Sequence, residues 1–171
     1  MTQAQSKSSK QQEIKVKKLI PSEAQLLSEI DKYCNIPPWS TKLFKQEIQG
    51  NHSESLGAYA DRYLIGFIIF HKLFESAHIV TFGVEPKWRR QGVGNLLLSA
   101  ALQKMYTSAI SWVTLEVRAS NQPAISLYQN AGFNEAGVRE KYYSNNKENA
   151  LVLKASVLDF IHTKGDPSVL I

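Results

Sequence analysis

Cysteine is nearly absent from this 171-residue chain. The single thiol, Cys34, cannot close an internal disulfide, so nothing points to an oxidising compartment. Histidine is scarce as well. His52, His71, His78 and His162 are scattered along the chain, and no metal-ligand spacing emerges. The longest strongly apolar run, Leu64–Phe70, has seven residues. A bilayer span needs ~20. The first twelve residues, MTQAQSKSSKQQ, lack the apolar stretch of a secretory signal. The expectation is a cytoplasmic protein that neither enters a membrane nor binds a metal.

Apolar residues make up 43% of the chain and charged residues 20%, ordinary for a soluble globular domain. The length suits one domain with a sizeable core. The formal net charge of +5 invites a nucleic-acid reading, but its distribution argues against one. Residues 1–18 hold five lysines and one acid, a net +4, which leaves +1 for residues 19–171. Residues 1–13 read as a solvated basic tail, too polar to order itself.

Ile14–Ile20 alternates as a first strand. Pro21-Ser22 then opens a helix to about Tyr33, with Ser22 as its cap and Ala24, Leu26, Leu27 and Ile30 on its apolar side. Pro37-Pro38 enforces a loop, and Ser40 caps a second helix to Gln49. Strands are expected at about 55–60, 63–73 and 77–85, joined by short antiparallel connections. A helix from Gly92 to about Tyr106, a strand Ser111–Arg118 and a helix Asn121–Ala131 follow. Strands near 133–143 and 148–157 close the domain. This order predicts an α/β fold on a mixed sheet, with residues 158–171 as a C-terminal extension.

Two segments carry chemistry. In Val84-Glu85-Pro86-Lys87-Trp88-Arg89-Arg90-Gln91-Gly92-Val93-Gly94-Asn95 a strand passes through a basic turn into a helix. Gly92 and Gly94 let a ligand approach the backbone, the helix N-terminus favours an anion, and Arg89 and Arg90 add charged donors. That combination predicts a phosphate or pyrophosphate site. It is neither a P-loop, for want of Gly-Lys-Ser/Thr, nor a dinucleotide fingerprint, because Leu97 stands at the third glycine position. In the second segment, Leu115-Glu116-Val117-Arg118-Ala119-Ser120-Asn121, the alternation of Val113, Leu115 and Val117 puts Glu116 on the opposite face of its strand. A carboxylate there is costly to bury unless paired or used. Pairing with Arg118 or another base would account for Glu116, and core packing would account for Tyr128 on the next helix.

Taken together, Arg89-x-x-Gly92-x-Gly94, Leu115-Glu116-Val117-Arg118-x-x-Asn121 and Leu127-Tyr128-x-x-x-Gly132-Phe133 resemble the GCN5-related N-acetyltransferases (GNATs). The chain is most similar to their RimI-type ribosomal-protein-alanine members. Pro38-Trp39-Ser40 with Phe44, and Arg139-x-x-Tyr142-Tyr143, add to the likeness, which covers about 14–157. The resemblance implies a single domain with a seven-stranded, largely antiparallel mixed sheet, splayed between strands 4 and 5 and flanked by about four helices. It implies acetyl-CoA as co-substrate and no metal. Backbone groups of Phe82, Gly83 and Val84 would hold the pantetheine arm. Arg89, Arg90, Gln91, Gly92, Val93, Gly94 and Asn95 would take the pyrophosphate, and Asn121 would touch the cofactor. Glu116 would be the general base and Tyr128 the acid that protonates the departing thiolate. Gly83 stands where relatives usually carry alanine, which is expected to loosen the strand slightly.

The implied acceptor is the N-terminal α-amine of a protein, an alanine of a ribosomal protein in the RimI type. An α-amine of pKa ~8 is roughly 10% neutral at pH 7, against under ~0.1% for a lysine near ~10.4. One carboxylate is therefore a more adequate base for an N-terminus. Cys34, placed in a helix far from these motifs in sequence, is not needed as a nucleophile, so direct attack in a ternary complex is expected. Lysine or small-amine acetylation, a non-catalytic acyl-CoA-binding module and a nucleic-acid binder stay open as alternatives. Trp39, Tyr142 and Tyr143 are candidates to line the acceptor groove.

Overall fold

The structure, a computed structural model, describes residues 12–164. Most of the expected basic tail and the end of the expected C-terminal extension lie outside these residues. Seven strands form one sheet: β1 (Ile14–Lys18), β2 (Ser53–Ala60), β3 (Tyr63–Leu73), β4 (Ser76–Val84), β5 (Trp112–Arg118), β6 (Asn134–Arg139) and β7 (Ala150–Ser156). Their order is β1-β2-β3-β4-β5-β7-β6. Only β4 and β5 run parallel; the other neighbours are antiparallel. Five α-helices flank the sheet: α1 (Ala24–Asp31), α2 (Thr41–Gln49), α3 (Val93–Thr107), α4 (Gln122–Asn130) and α5 (Val157–Lys164). The fifth starts at the last residue of the expected final strand and runs into the expected extension, and its Val157 and Phe160 bury against the core that α3 covers.

Each face of the sheet carries its own core. Leu97, Leu98, Ala101, Leu102 and Met105 of α3 pack on Ile79, Val113 and Leu115, while Ile125 and Tyr128 of α4 continue that layer. On the other face Leu27 and Ile30 of α1 and Phe44 of α2 cover Tyr59, Phe67 and Ile69. Phe44 is the centre of that layer, edge-on to Phe67 at 5.3 Å and tilted against Trp39 at 5.4 Å.

Several local signals read as expected. Ser40 Oγ caps α2 by accepting from Leu43 N at 3.2 Å. Asn121 Oδ1 caps α4 by accepting from Ala124 N at 3.3 Å. Gly132 ends α4 with a left-handed φ of +91°. The start of α1 is different: a 3-10 turn (Pro21–Glu23) precedes it, and Ser22 is not its cap. Glu23 holds the cap position without a side-chain bond to α1; its carboxylate braces the turn instead, accepting from Ile20 N at 2.9 Å and from the Tyr59 hydroxyl at 2.7 Å. Leu26, expected on the packed side, is 53% exposed, because the helix is only two turns long and Leu27 and Ile30 already fill its contact. The two last strands are also shorter than expected, since Glu140–Asn149 forms a loop held by side chains.

Candidate acetyl-transfer site

The parallel pair β4–β5 is hydrogen-bonded only from Ser76↔Trp112 to Ile79↔Leu115. Beyond that point β4 pairs with β3 alone and β5 with β7 alone, so the sheet opens into a V. On the edge of β4 away from β3 the backbone groups of Phe82 and Val84 have no strand partner, whereas alternation turns those of Gly83 toward Phe67 of β3, so the expected Gly83 backbone contact is not on the open edge. Such an edge is an extended binding surface for a ligand with amide groups. The Val84 carbonyl is already engaged, accepting from Arg89 Nε at 2.9 Å and from the Cys34 thiol at 3.7 Å.

The turn after β4 presents open backbone donors. Arg90 and Gly92 both adopt left-handed backbone, with φ of +63° and +84°. A Cβ on Gly92 would meet nothing within 4 Å, so it is the left-handed backbone and not space that favours glycine there. Helix α3 starts at Val93 with no side-chain cap and no acid in its first turn, so the N–H groups of Val93, Gly94 and Asn95 face outward unpaired. At Gly94 a Cβ would lie 3.4 Å from Leu127 and 3.8 Å from Phe82, which brings the turn, β4 and α4 together. Gln91 donates to the Lys87 carbonyl at 2.7 Å and braces the turn. Arg89, expected as a phosphate donor, instead uses Nε and Nη2 on the carbonyls of Val84 and Tyr33, the latter at 2.7 Å. It ties the end of α1 to the end of β4. Arg90 is exposed beside the open helix end.

Tyr128 sits on the same side, its ring 6.3 Å from Phe82 and 5.5 Å from Phe133. Burial, and secondarily the nearby Tyr143 phenol, hold its hydroxyl above the ordinary tyrosine range. Such a phenol stays protonated and available as a proton donor.

Glu116 lies on the opposite face, as its alternation with Val113, Leu115 and Val117 requires. Its side chain is only 11% exposed, and both oxygens are paired: Oε2 with His78 Nε2 at 3.0 Å and Oε1 with Arg139 Nε at 2.9 Å. His78 Nδ1 in turn lies 3.0 Å from Thr114 Oγ1. The pairing with another base is therefore real, but the partners are Arg139 and His78, not Arg118. Each carboxylate oxygen keeps a further lone pair for an acceptor. Burial, opposed by the Arg118 guanidinium, holds the Tyr143 phenol above its ordinary value.

Arg118, one pleat further on, was expected as no more than a partner for Glu116. It donates to Glu148 Oε2 at 2.9 Å, Asn146 Oδ1 at 3.2 Å, Asn145 Oδ1 at 3.0 Å and the Ile36 carbonyl at 2.9 Å. Its guanidinium also lies 3.7 Å from the centre of the Tyr143 ring. Cys34 is likewise not remote. It occupies the turn after α1, and a Cβ on Gly83 would come within 2.8 Å of its Sγ and of the Phe67 ring. Burial, opposed by Arg89, raises the Cys34 thiol above its ordinary value, which leaves it a poor nucleophile.

The family model of the acetyltransferase (GNAT) family matches residues 24–133. The chain belongs to the GNAT acetyltransferase family. Within this family it is 34% identical over 127 residues to the [ribosomal protein bS18]-alanine N-acetyltransferase of Salmonella typhimurium, covering 73% of this chain and 85% of that one. The crystal structure of the Escherichia coli ribosomal-protein-S18-alanine N-acetyltransferase superposes with a TM-score of 0.79 at 28% identity, over 85% of this chain and 94% of the other. Ard1 from Thermoplasma volcanium has the same fold, with a TM-score of 0.78 at 24% identity over 84% and 97% of the two chains. This GNAT chain has a mixed sheet that opens between its fourth and fifth strands. Among the described residues no helix is long and apolar enough to cross a membrane.

Proposed function

We propose that this GNAT enzyme moves an acetyl group from acetyl-CoA to the N-terminal α-amine of a protein, an alanine of a ribosomal protein. One observation carries this reading. A single paired carboxylate, Glu116, faces one side of the opened sheet, and a buried, protonated phenol, Tyr128, lies on the other. Its similarity to enzymes that modify the alanine of ribosomal protein bS18 supports the acceptor class.

Acetyl-CoA supplies an acetyl thioester and an anionic diphosphate tail. The free edge of β4 at Phe82, with the Val84 N–H rather than its occupied carbonyl, suits the amide-bearing arm. The outward N–H groups of Val93, Gly94 and Asn95, with Arg90, suit the diphosphate. Asn121 caps α4 at the far side of the opening.

Glu116 takes a proton from the incoming ammonium, directly or through one water, and Arg139 and His78 hold the carboxylate in one orientation while it does so. The freed amine attacks the thioester carbonyl; as the C–N bond forms and the C–S bond breaks, Tyr128 gives its proton to the departing sulfur, and the second proton shed by the nitrogen returns through water to the Tyr128 oxygen while the one on Glu116 passes to solvent. A carboxylate suits this task on an α-amine of pKa ~8 and is outmatched on a lysine at ~10.4. Direct transfer is favoured by the burial of the only cysteine, whose thiol is raised above its ordinary value. Incubation with acetyl-CoA and an alanine-initiated peptide, with the acetyl group located by fragmentation mass spectrometry, tests the reading. The modification is expected on the α-amine, and rapid mixing with acetyl-CoA alone is expected to leave the protein unacetylated. Accumulation of an acetyl-enzyme would overturn direct attack.

A further inference from the structure

We propose that Arg118 is a positioning residue of the acceptor groove, clasping the two loops that wall it into one fixed arrangement. The proposal rests on the acceptor side of the reading above. The first wall is the segment after α1. Its course is set on the β4 side by Asn35, which donates to buried Asp31 and to Thr81 Oγ1 at 3.2 Å, and by Trp39 N, which donates to Asp31 Oδ2 at 2.7 Å. On the β5 side the Ile36 carbonyl is held by Arg118. The segment thus straps the mouth of the V, anchored to β4 by one end and to β5 through a single guanidinium.

The second wall is the β6–β7 loop. Arg118 reaches Asn145, Asn146 and Glu148 there and stacks on Tyr143. Glu148 is fixed independently, because Oε1 accepts from Ser120 N at 2.9 Å. The Arg118 and Glu148 side chains are 19% and 18% exposed, so this pair is shielded enough to outlast a surface ion pair. The planar fork of arginine is what lets one side chain serve both loops while its face covers a ring. All of these partners belong to the two loops. None is in α3 or the turn before it, where the diphosphate would bind. Removing the guanidinium should therefore disturb acceptor binding and spare acetyl-CoA binding.

Two measurements on the full chain test this. In Arg118→Ala the KM for an alanine-initiated peptide is expected to rise about tenfold or more, the factor set by losing a charge-assisted hydrogen bond, with the KM for acetyl-CoA unchanged. Arg118→Lys, which keeps the charge and loses the fork, is expected to show the same split in smaller measure and remains usable should the alanine variant fold poorly. Hydrogen exchange should show the amides of Asn35, Ile36 and Trp39 losing protection together with those of residues 143–149, without change in α3. Equal loss on both substrates in step with a lower Tm, or protection lost from neither or only one loop, overturns the proposal. A wild-type chain that acetylates no peptide refutes the acceptor reading instead, and the exchange data still decide the clasp.

Discussion

Gly83→Ala reverses an expectation drawn from relatives. Alanine in a strand interior is favoured over glycine by roughly 0.5–1 kcal/mol, because glycine loses more freedom on folding. At this position the added Cβ would lie 2.8 Å from Cys34 Sγ and 2.8 Å from a Phe67 ring carbon. Carbon contacts have their optimum at about 3.5–4.0 Å, so each is short by most of an ångström. Phe67 is fully buried and locked edge-on against Phe44, so it cannot swing away. Overpacking of this kind costs about 1–3 kcal/mol, which exceeds the strand preference. The expected net is a loss of about 1 kcal/mol, seen in thermal melts as a Tm lower by about 2–4 °C for a chain of this size. Cys34→Ala in the same background removes one of the two clashes and should recover part of the loss, a non-additive pair. A Gly83→Ala protein as stable as the parent, or additive behaviour with Cys34→Ala, would refute the packing account of this glycine.

Other outcomes can be measured on the same protein. Glu116→Gln and Tyr128→Phe are each expected to lower kcat by about 10²–10⁴ while acetyl-CoA still binds, and unchanged kcat in both would remove their assigned roles. His78→Ala or Arg139→Ala should lower kcat about tenfold by freeing the Glu116 carboxylate, with folding retained in circular dichroism. Hydrogen bonds from Ser120, then from Arg118, lower the Glu148 carboxyl from 4.5 to about 2. Its contribution to loop order is therefore complete above pH 4.5 and lost as the pH falls toward 2, and Glu148→Gln should abolish that dependence in amide exchange of residues 143–149.

What could be read in the sequence was what local chemistry decides. Alternation of Val113, Leu115 and Val117 sufficed to set Glu116 apart, Asn121 was recognisable as a cap, and Gly92 stands where the backbone turns left-handed. Partners that depend on tertiary register were not readable. His78 meets Glu116 only because β4 and β5 run parallel with His78 opposite Thr114. Arg118 reaches Ile36 across 82 positions of sequence. The charge of Arg89 was visible, but not that Tyr33 and Val84 would claim its donors, because the end of α1 had to be placed first. The alternation of Thr114, Glu116 and Arg118 on one face held the available hint, since three polar groups in a row on a central strand call for partners from elsewhere.

The central claim is tested most directly by kcat/KM for acetyl transfer to peptides beginning with alanine, serine or methionine, set against an N-terminally blocked peptide that carries a lysine. The account predicts transfer to free α-amines, with the alanine peptide favoured and the blocked peptide essentially inert. Comparable transfer to the blocked lysine peptide, or none to any free N-terminus, would contradict it.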